Sequence, residues 1–343
     1  MRRTAVLACA LLGLAPLLAA CSDDEEAGAT DVGDVIPANE DDQFEGPRAS
    51  TVLVPSGQLK VWLGKPVDAV ERNDTRQLEE LQAPAGASLV PITWRMESAF
   101  PDAAGFLGET PAVGIDLVTD GESYRLPAPD PESEAGESFY VVADGDATDV
   151  SLDVEFDGVT QTVDLRTRKR DAGRAEALYD LDEARLRPED CGSDDWHDER
   201  IVYACELTGP LLLPYANGEW ADKGHQWLAV RLHTTLRQWV IADGEGGGAL
   251  YIGGRTKLDA TLDEEKPVAT FDGALNECPV PGNASCMAER LLIFDVEEGD
   301  VPTKLEVDQE YKLALLNRWG GYSPKERLTD SVGGSLRFDL PKD

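Results

Sequence analysis

The sequence predicts an all-β protein of two tandem antiparallel β-sandwiches, and three observations predict it. Apolar and polar residues alternate with period two through many short runs, which puts the apolar set on one face of a strand. Gly, Asp, Asn and Pro punctuate those runs. Helical spacing is almost absent, which disfavours the alternating strand–helix order of parallel folds. A length of 343 residues suits two domains, and a hydrophobic fraction of 42% supplies ordinary cores.

Residues 1–20 read as an export signal. Arg2 and Arg3 form a positive start, Ala5 to Leu18 an apolar run, and Leu18-Ala19-Ala20-Cys21 follows. The run is too short to span a bilayer and meets Asp23-Asp24-Glu25-Glu26 almost at once. Leu-Ala-Ala-Cys resembles the lipobox of bacterial lipoproteins, which implies cleavage before Cys21 and diacylglycerol on its thiol. Residues 21–47 are then the lipidated cysteine and a disordered tether. The stretch 22–47 holds ten acids and no base, and like charges in such a segment extend it. No later apolar run is long enough to cross a membrane, so the lipid is the expected anchor to the bilayer.

The first sandwich is expected over 48–170. Val90, Ile92, Trp94 and Met96 share one strand face while Thr93 and Arg95 share the other. Val113, Ile115 and Leu117 repeat the pattern, as do Val150, Leu152, Val154 and Phe156. Asp157-Gly158 then forms a two-residue hairpin turn, because that turn needs positive φ at both central residues. It pairs Phe156 with Val159 and puts Val163 and Leu165 on the face of Val154, in register with the hydrophobic pattern. Residues 171–188 are charged, alanine-rich and poor in β-branched side chains. They read as a linker with a short helix ended by Pro188.

The second sandwich is expected over 189–343. Leu228, Val230, Leu232 and Leu236 form one strand, and Leu292, Phe294 and Val296 another. Leu305 and Val307, a turn at Asp308 to Glu310, then Tyr311, Leu313 and Leu315 mirror the Asp157-Gly158 hairpin, so the second block reads as a diverged copy of the first. Ser331 to Ser335 is taken as the turn before a last strand of Leu336, Phe338 and Leu340. The glycines at 244, 246, 247 and 248 lack the Lys-Ser/Thr of a phosphate-cradling loop and are read as a hairpin tip.

Export sets the cysteine arithmetic. Cys9 leaves with the signal and Cys21 is lipidated, so Cys191, Cys205, Cys278 and Cys286 remain for an oxidising compartment. The expected pairs are Cys191–Cys205 and Cys278–Cys286, each closing a short loop rich in turn residues. Zinc is disfavoured because the Cys-x-x-Cys spacing is missing.

Charge bounds the partners. With 31 bases against 66 acids the formal charge is −35, a surface that repels nucleic acid and favours cations, basic partners or plain solubility. Signals for chemistry are thin. Asp144, Asp146 and Asp149 crowd one loop, and several oxygens together suit calcium. Asp and Gly also populate turns for backbone reasons, which is the favoured account. His197 sits among acids in Asp194-Asp195-Trp196-His197-Asp198-Glu199, where it is a candidate metal ligand or base, and more often simply a polar loop. His225 and His233 share a strand face, too far apart for one metal ion and expected on the solvent side. No Gly-x-Ser-x-Gly elbow is present.

The lipobox, the strand order and the terminal hairpin resemble those of actinobacterial-like surface lipoproteins with tandem immunoglobulin-like β-sandwich domains of unknown function. The resemblance implies a fold and an address rather than an activity. The expectation is a lipid-anchored, extracytoplasmic, non-enzymatic binding or structural module of the cell envelope, holding an envelope protein or ligand and no cofactor. The alternative is an envelope hydrolase or metal-binding protein using a carboxylate or histidine site.

Overall fold

The computed structural model describes residues 28–100, 103–129, 135–181, 187–280, 285–299 and 302–337. The expected export signal, Cys21 and the acidic run to residue 27 lie outside them, as do Phe338 and Leu340. The protein is all-β, built of antiparallel sheets packed as sandwiches.

The first unit contains β1 (Gly28–Ala29), β2 (Val35–Pro37), β3 (Ser50–Val54), β4 (Gly57–Leu63), β5 (Ala69–Val70), β6 (Leu81–Gln82), β7 (Ala87–Glu97), β8 (Gly114–Thr119), β9 (Glu122–Arg125), β10 (Glu137–Asp144), β11 (Val150–Phe156), β12 (Val159–Asp164) and β13 (Arg170–Asp171). Of its two five-stranded sheets, the first runs β2-β10-β7-β4-β3 and the second β13-β12-β11-β8-β9, and β1-β6-β5 forms a small third sheet in which β1 runs parallel to β6. Period-two patterning turns Val61, Ile92 and Trp94 of the first toward Ile115, Leu152 and Val154 of the second, and all six are buried together. The Asp157-Gly158 turn has φ of 49° and 75°, and Phe156 pairs with Val159 as the alternation requires. The Gly158 amide donates to Glu155 Oε1 at 2.6 Å, which ties the turn down.

The tether expectation is corrected within the described residues. Val35–Pro37 is a strand on the edge of β10, and Ile36 and Phe44 pack with Ala38, Leu89, Tyr140 and Val142. The second face of β7 is therefore covered as well. Thr93 is fully buried, its hydroxyl accepting from the Phe44 amide at 3.2 Å, and Arg95 pairs with Glu45. Ten acids hide these apolar residues in any average of composition. The acids Asp31, Glu40 and Asp42 face solvent while the apolar few reach the sheet.

Residues 171–181 are likewise no free linker. Asp171 ends β13, and a run of 3-10 turns at Gly173–Asp180 buries Ala172, Ala175 and Leu178 beside Leu53 and Trp220. The Tyr179 hydroxyl accepts from the Leu53 amide and donates to Gln161 Oε1, both at 2.8 Å. Arg170 stacks over the Tyr179 ring at 3.3 Å. Residues 182–186 lie outside the described set.

The second unit contains β14 (Glu189–Asp190), β15 (Ile201–Leu213), β16 (Tyr215–Ala216), β17 (Glu219–Trp220), β18 (His225–Ala242), β19 (Gly248–Leu262), β20 (Ala269–Asp272), β21 (Cys286–Glu297), β22 (Lys304–Trp319) and β23 (Arg327–Arg337). Long β18 pairs with β15 along one edge. On the other edge it pairs with β21 over His225–Leu236 and with β19 only at Trp239–Ala242. There the sheet folds over itself, and β19-β22-β23 forms the second layer. Leu207, Val230 and Phe294 of one layer bury against Tyr251, Leu305 and Tyr311 of the other.

This layer overturns two sequence expectations and the copy that rested on them. Strand β22 continues through Asp308 to Glu310 without a turn, because Val307, Gln309, Tyr311 and Leu313 keep the inward phase. Gln309 reads as a turn residue yet is fully buried. Its Oε1 accepts from Tyr203 at 3.1 Å and its Nε2 donates to Thr256 at 2.7 Å. Ser331 to Ser335 lies inside β23 rather than before it. The first unit is built on two separate five-stranded sheets with a small three-stranded sheet beside them, and the second on one folded eight-stranded sheet with a two-stranded hairpin, so the units are not copies.

The two units share cores. Tyr215 and Trp220, on the β16–β17 hairpin, pack edge-on against Phe156, and Tyr215 is only 1% exposed within the first sandwich. The Trp220 indole donates to the Phe156 carbonyl at 3.1 Å. In return Ala103 and Phe106 of the first unit bury against Leu211, Trp227 and Ile293 on the outer face of β15-β18-β21.

Both expected disulfides are present, Cys191–Cys205 and Cys278–Cys286, with Cα separations of 5.4 and 4.1 Å. They close loops of 14 and 8 residues. Chain-entropy arithmetic puts their contributions at about 3 and about 2.5 kcal/mol. Replacing each pair with serines should lower the urea unfolding free energy by about those amounts. Non-reducing peptide maps should show only these two links.

Candidate binding surface

The sequence-singled residues fall in three separate places. Asp144 ends β10, and Asp146 and Asp149 lie in the connection to β11, all exposed. Backbone bonding explains this loop. The Asp144 amide donates to the Tyr124 hydroxyl at 2.9 Å, the Gly145 amide to the Gly86 carbonyl at 2.8 Å, and Arg166 to the Ala147 carbonyl at 2.8 Å. Among the described residues no three His, Cys, Asp or Glu side chains gather as a metal-holding group.

His197 follows the 3-10 turn Ser193–Trp196, its ring edge-on to Tyr203 at 5.8 Å and its Nδ1 3.0 Å from the Asp198 carbonyl. The acid beside it is engaged elsewhere. Asp198 pairs with Arg200, whose bonds to the carboxylate hold it down to about 2. The loop is thus a surface ion pair next to an aromatic contact.

His225 and His233 do share a face of β18, but the expectation of a solvent face fails between them. Trp227 and Ala229 on that face are covered by the first unit. His225 Nδ1 lies 2.9 Å from Asp295 Oδ1, and that bond raises the imidazole pKa. His233 leans on Thr235, Nε2 to Oγ1 at 3.3 Å. The glycines after β18 form the expected hairpin tip, closed by Asp243 Oδ1, which accepts from the Glu245 and Gly247 amides at 2.8 Å.

One surface was not legible from the sequence. On the outer face of β19-β22-β23, Arg255 stands directly opposite Lys312, Lys312 opposite Thr329, and Arg327 opposite Ala314 one row on. With Gly254, and with Leu313 and Leu328 in its wall, these residues line an open cleft of about 690 Å³. Gly254 has no register partner. It is the extra residue of a β-bulge between Gly253 and Arg255, and such bulges re-aim the neighbouring side chain. Lys257 lies two residues further along β19, directly opposite Glu310. Among the described residues, none of these four bases makes a salt bridge. Arg255, Lys312 and Arg327 come from three strands spread over more than seventy positions. Only the register joins them.

No family model matches the chain, and no curated protein matches it. Among solved structures, the chain is similar to "the conserved domain protein from Bacillus anthracis" at 10% identity over 87% of this chain and 93% of that one, with a TM-score of 0.25. So slight a likeness carries no argument. Among the described residues, no helix is long and apolar enough to cross a membrane.

Proposed function

We propose that this chain is a lipid-anchored protein of the cell envelope, exported by residues 1–20, acylated at Cys21, and working as a non-enzymatic binding or structural module. The observation that carries the reading is the cysteine pairing. All four cysteines beyond residue 21 are spent in disulfides, which suits an oxidising compartment, and Cys21 is left over with the lipobox before it. The scatter of His197 and the Asp144–Asp149 loop, each held in local structural bonds, supports binding over catalysis.

Metabolic labelling with radioactive palmitate tests the anchor. Wild-type chain should take up label, and Cys21→Ala should take up none while keeping both disulfides. Label persisting in the variant would sink the claim. Complementation of a deletion strain tests the rest. His197→Ala, and Asp144, Asp146 and Asp149 all changed to Asn, should retain function at matched protein levels, because loss of an essential catalytic group costs orders of magnitude.

A further inference from the structure

We infer that the cleft between Arg255, Lys312 and Arg327 is a binding site for a compact phosphate-bearing ligand. This goes beyond the envelope reading and does not depend on it.

The first argument is electrostatic. Like charges directly opposite on neighbouring strands destabilise a sheet, and Arg255 faces Lys312 in that way. The chain has 66 acids for 31 bases, so a neutralising carboxylate would be easy to place, yet the described residues offer these bases no ion pair. Lys304 on the same layer and Lys266 in the loop after β19 do find acids, Glu306 and Asp259. The second argument is backbone. The bulge at Gly254 puts a residue without a side chain into the lining and re-aims Arg255 beside Lys312.

Charge count selects the ligand class. A carboxylate carries one negative charge and is satisfied by one arginine fork. Two guanidinium forks and an ammonium converging from three strands match the greater charge and the several acceptor oxygens of a phosphate or diphosphate. Length is bounded too. Asp259 and Asp308 face each other four residues along from Arg255 and Lys312, about 13 Å away at ~3.3 Å per residue. Glu310 lies between. A long polyanion leaving the cleft in that direction runs past Glu310 onto Asp259 and Asp308, whereas a ligand confined to the cleft is screened from that far pair, which lies beyond about 8 Å, at physiological salt.

The test is calorimetric titration of the full chain in detergent with pyrophosphate, in parallel with succinate, long-chain polyphosphate and phosphatidylglycerol vesicles. Pyrophosphate should bind. Arg327→Ala and Lys312→Glu should each weaken it at least ten-fold, while Arg200→Ala, an exposed base elsewhere, leaves it unchanged. Lys312→Glu should also raise Tm by about 1–2 °C, because an opposite charge then faces Arg255. Should Lys312→Glu fail to fold, Arg327→Ala at the cleft rim decides alone. No binding of pyrophosphate at millimolar concentration, or wild-type affinity in Arg327→Ala, overturns the site. Tighter binding of succinate overturns the phosphate assignment. Tighter binding of polyphosphate per phosphate, or of the vesicles, overturns the compact ligand.

Discussion

Tyr215→Ala should destabilise the first sandwich although Tyr215 stands in the second half of the chain. Its ring is 1% exposed and wedged among Phe156, Trp220 and the core around Val154. Removing a buried aromatic ring leaves a cavity and costs about 3–5 kcal/mol. Total stabilities of about 5–15 kcal/mol make that a large share. The loss should appear as a fall in the urea midpoint followed by Trp94 and Trp220 fluorescence. The same contact makes limited proteolysis of the whole protein yield one resistant body spanning both sandwiches. Residues 48–170 produced alone should be much less stable, since they lack the ring that closes their core. Two separately resistant fragments, or a Tyr215→Ala midpoint equal to wild type, would show that the hairpin merely rests on the first unit.

Gly334→Ala should cost several kcal/mol despite being a one-methyl change at a strand position. Strand β23 turns Gly334 inward, and a Cβ there would sit 2.2–2.4 Å from three atoms of the Trp196 indole. Indole and methyl cannot both stay. Expelling Trp196 forfeits the packing it makes with Tyr203, at 6.4 Å between rings, and with the core under β23. Loss of a large aromatic contact of this kind costs about 3–5 kcal/mol, discounted because Trp196 is only half buried. A double-mutant cycle isolates the cause. Trp196→Ala and Gly334→Ala together should cost no more than Trp196→Ala alone, within about 0.5 kcal/mol. Additive losses in urea unfolding would mean that the glycine matters for some other reason.

The signals legible along the chain are local. Alternation over Val150–Phe156 and the Asp157-Gly158 pair specify a hairpin and its register, because side-chain period and turn geometry are properties of neighbours in the chain. The pairings Cys191–Cys205 and Cys278–Cys286 are legible for the same reason, since short loops bring those residues close. The all-β class follows from many such local signals. Other features arise from contacts between distant strands. Val35, Ile36 and Phe44 are too few to mark 28–47 as structured, and they become so only because Tyr140 and Val142 offer a face to Ile36 and Phe44 while Val35 reaches the sandwich core beside Val141. Gln309 looks like a turn until Tyr203 and Thr256 supply its hydrogen bonds from other strands. Arg255, Lys312 and Arg327 are unremarkable singly and form a charged cleft only once β19, β22 and β23 lie side by side. In each case the deciding energy, whether burial, a satisfied polar group or cross-strand repulsion, is a pair property of residues far apart in sequence. Such pairs exist only after the sheet has chosen its neighbours.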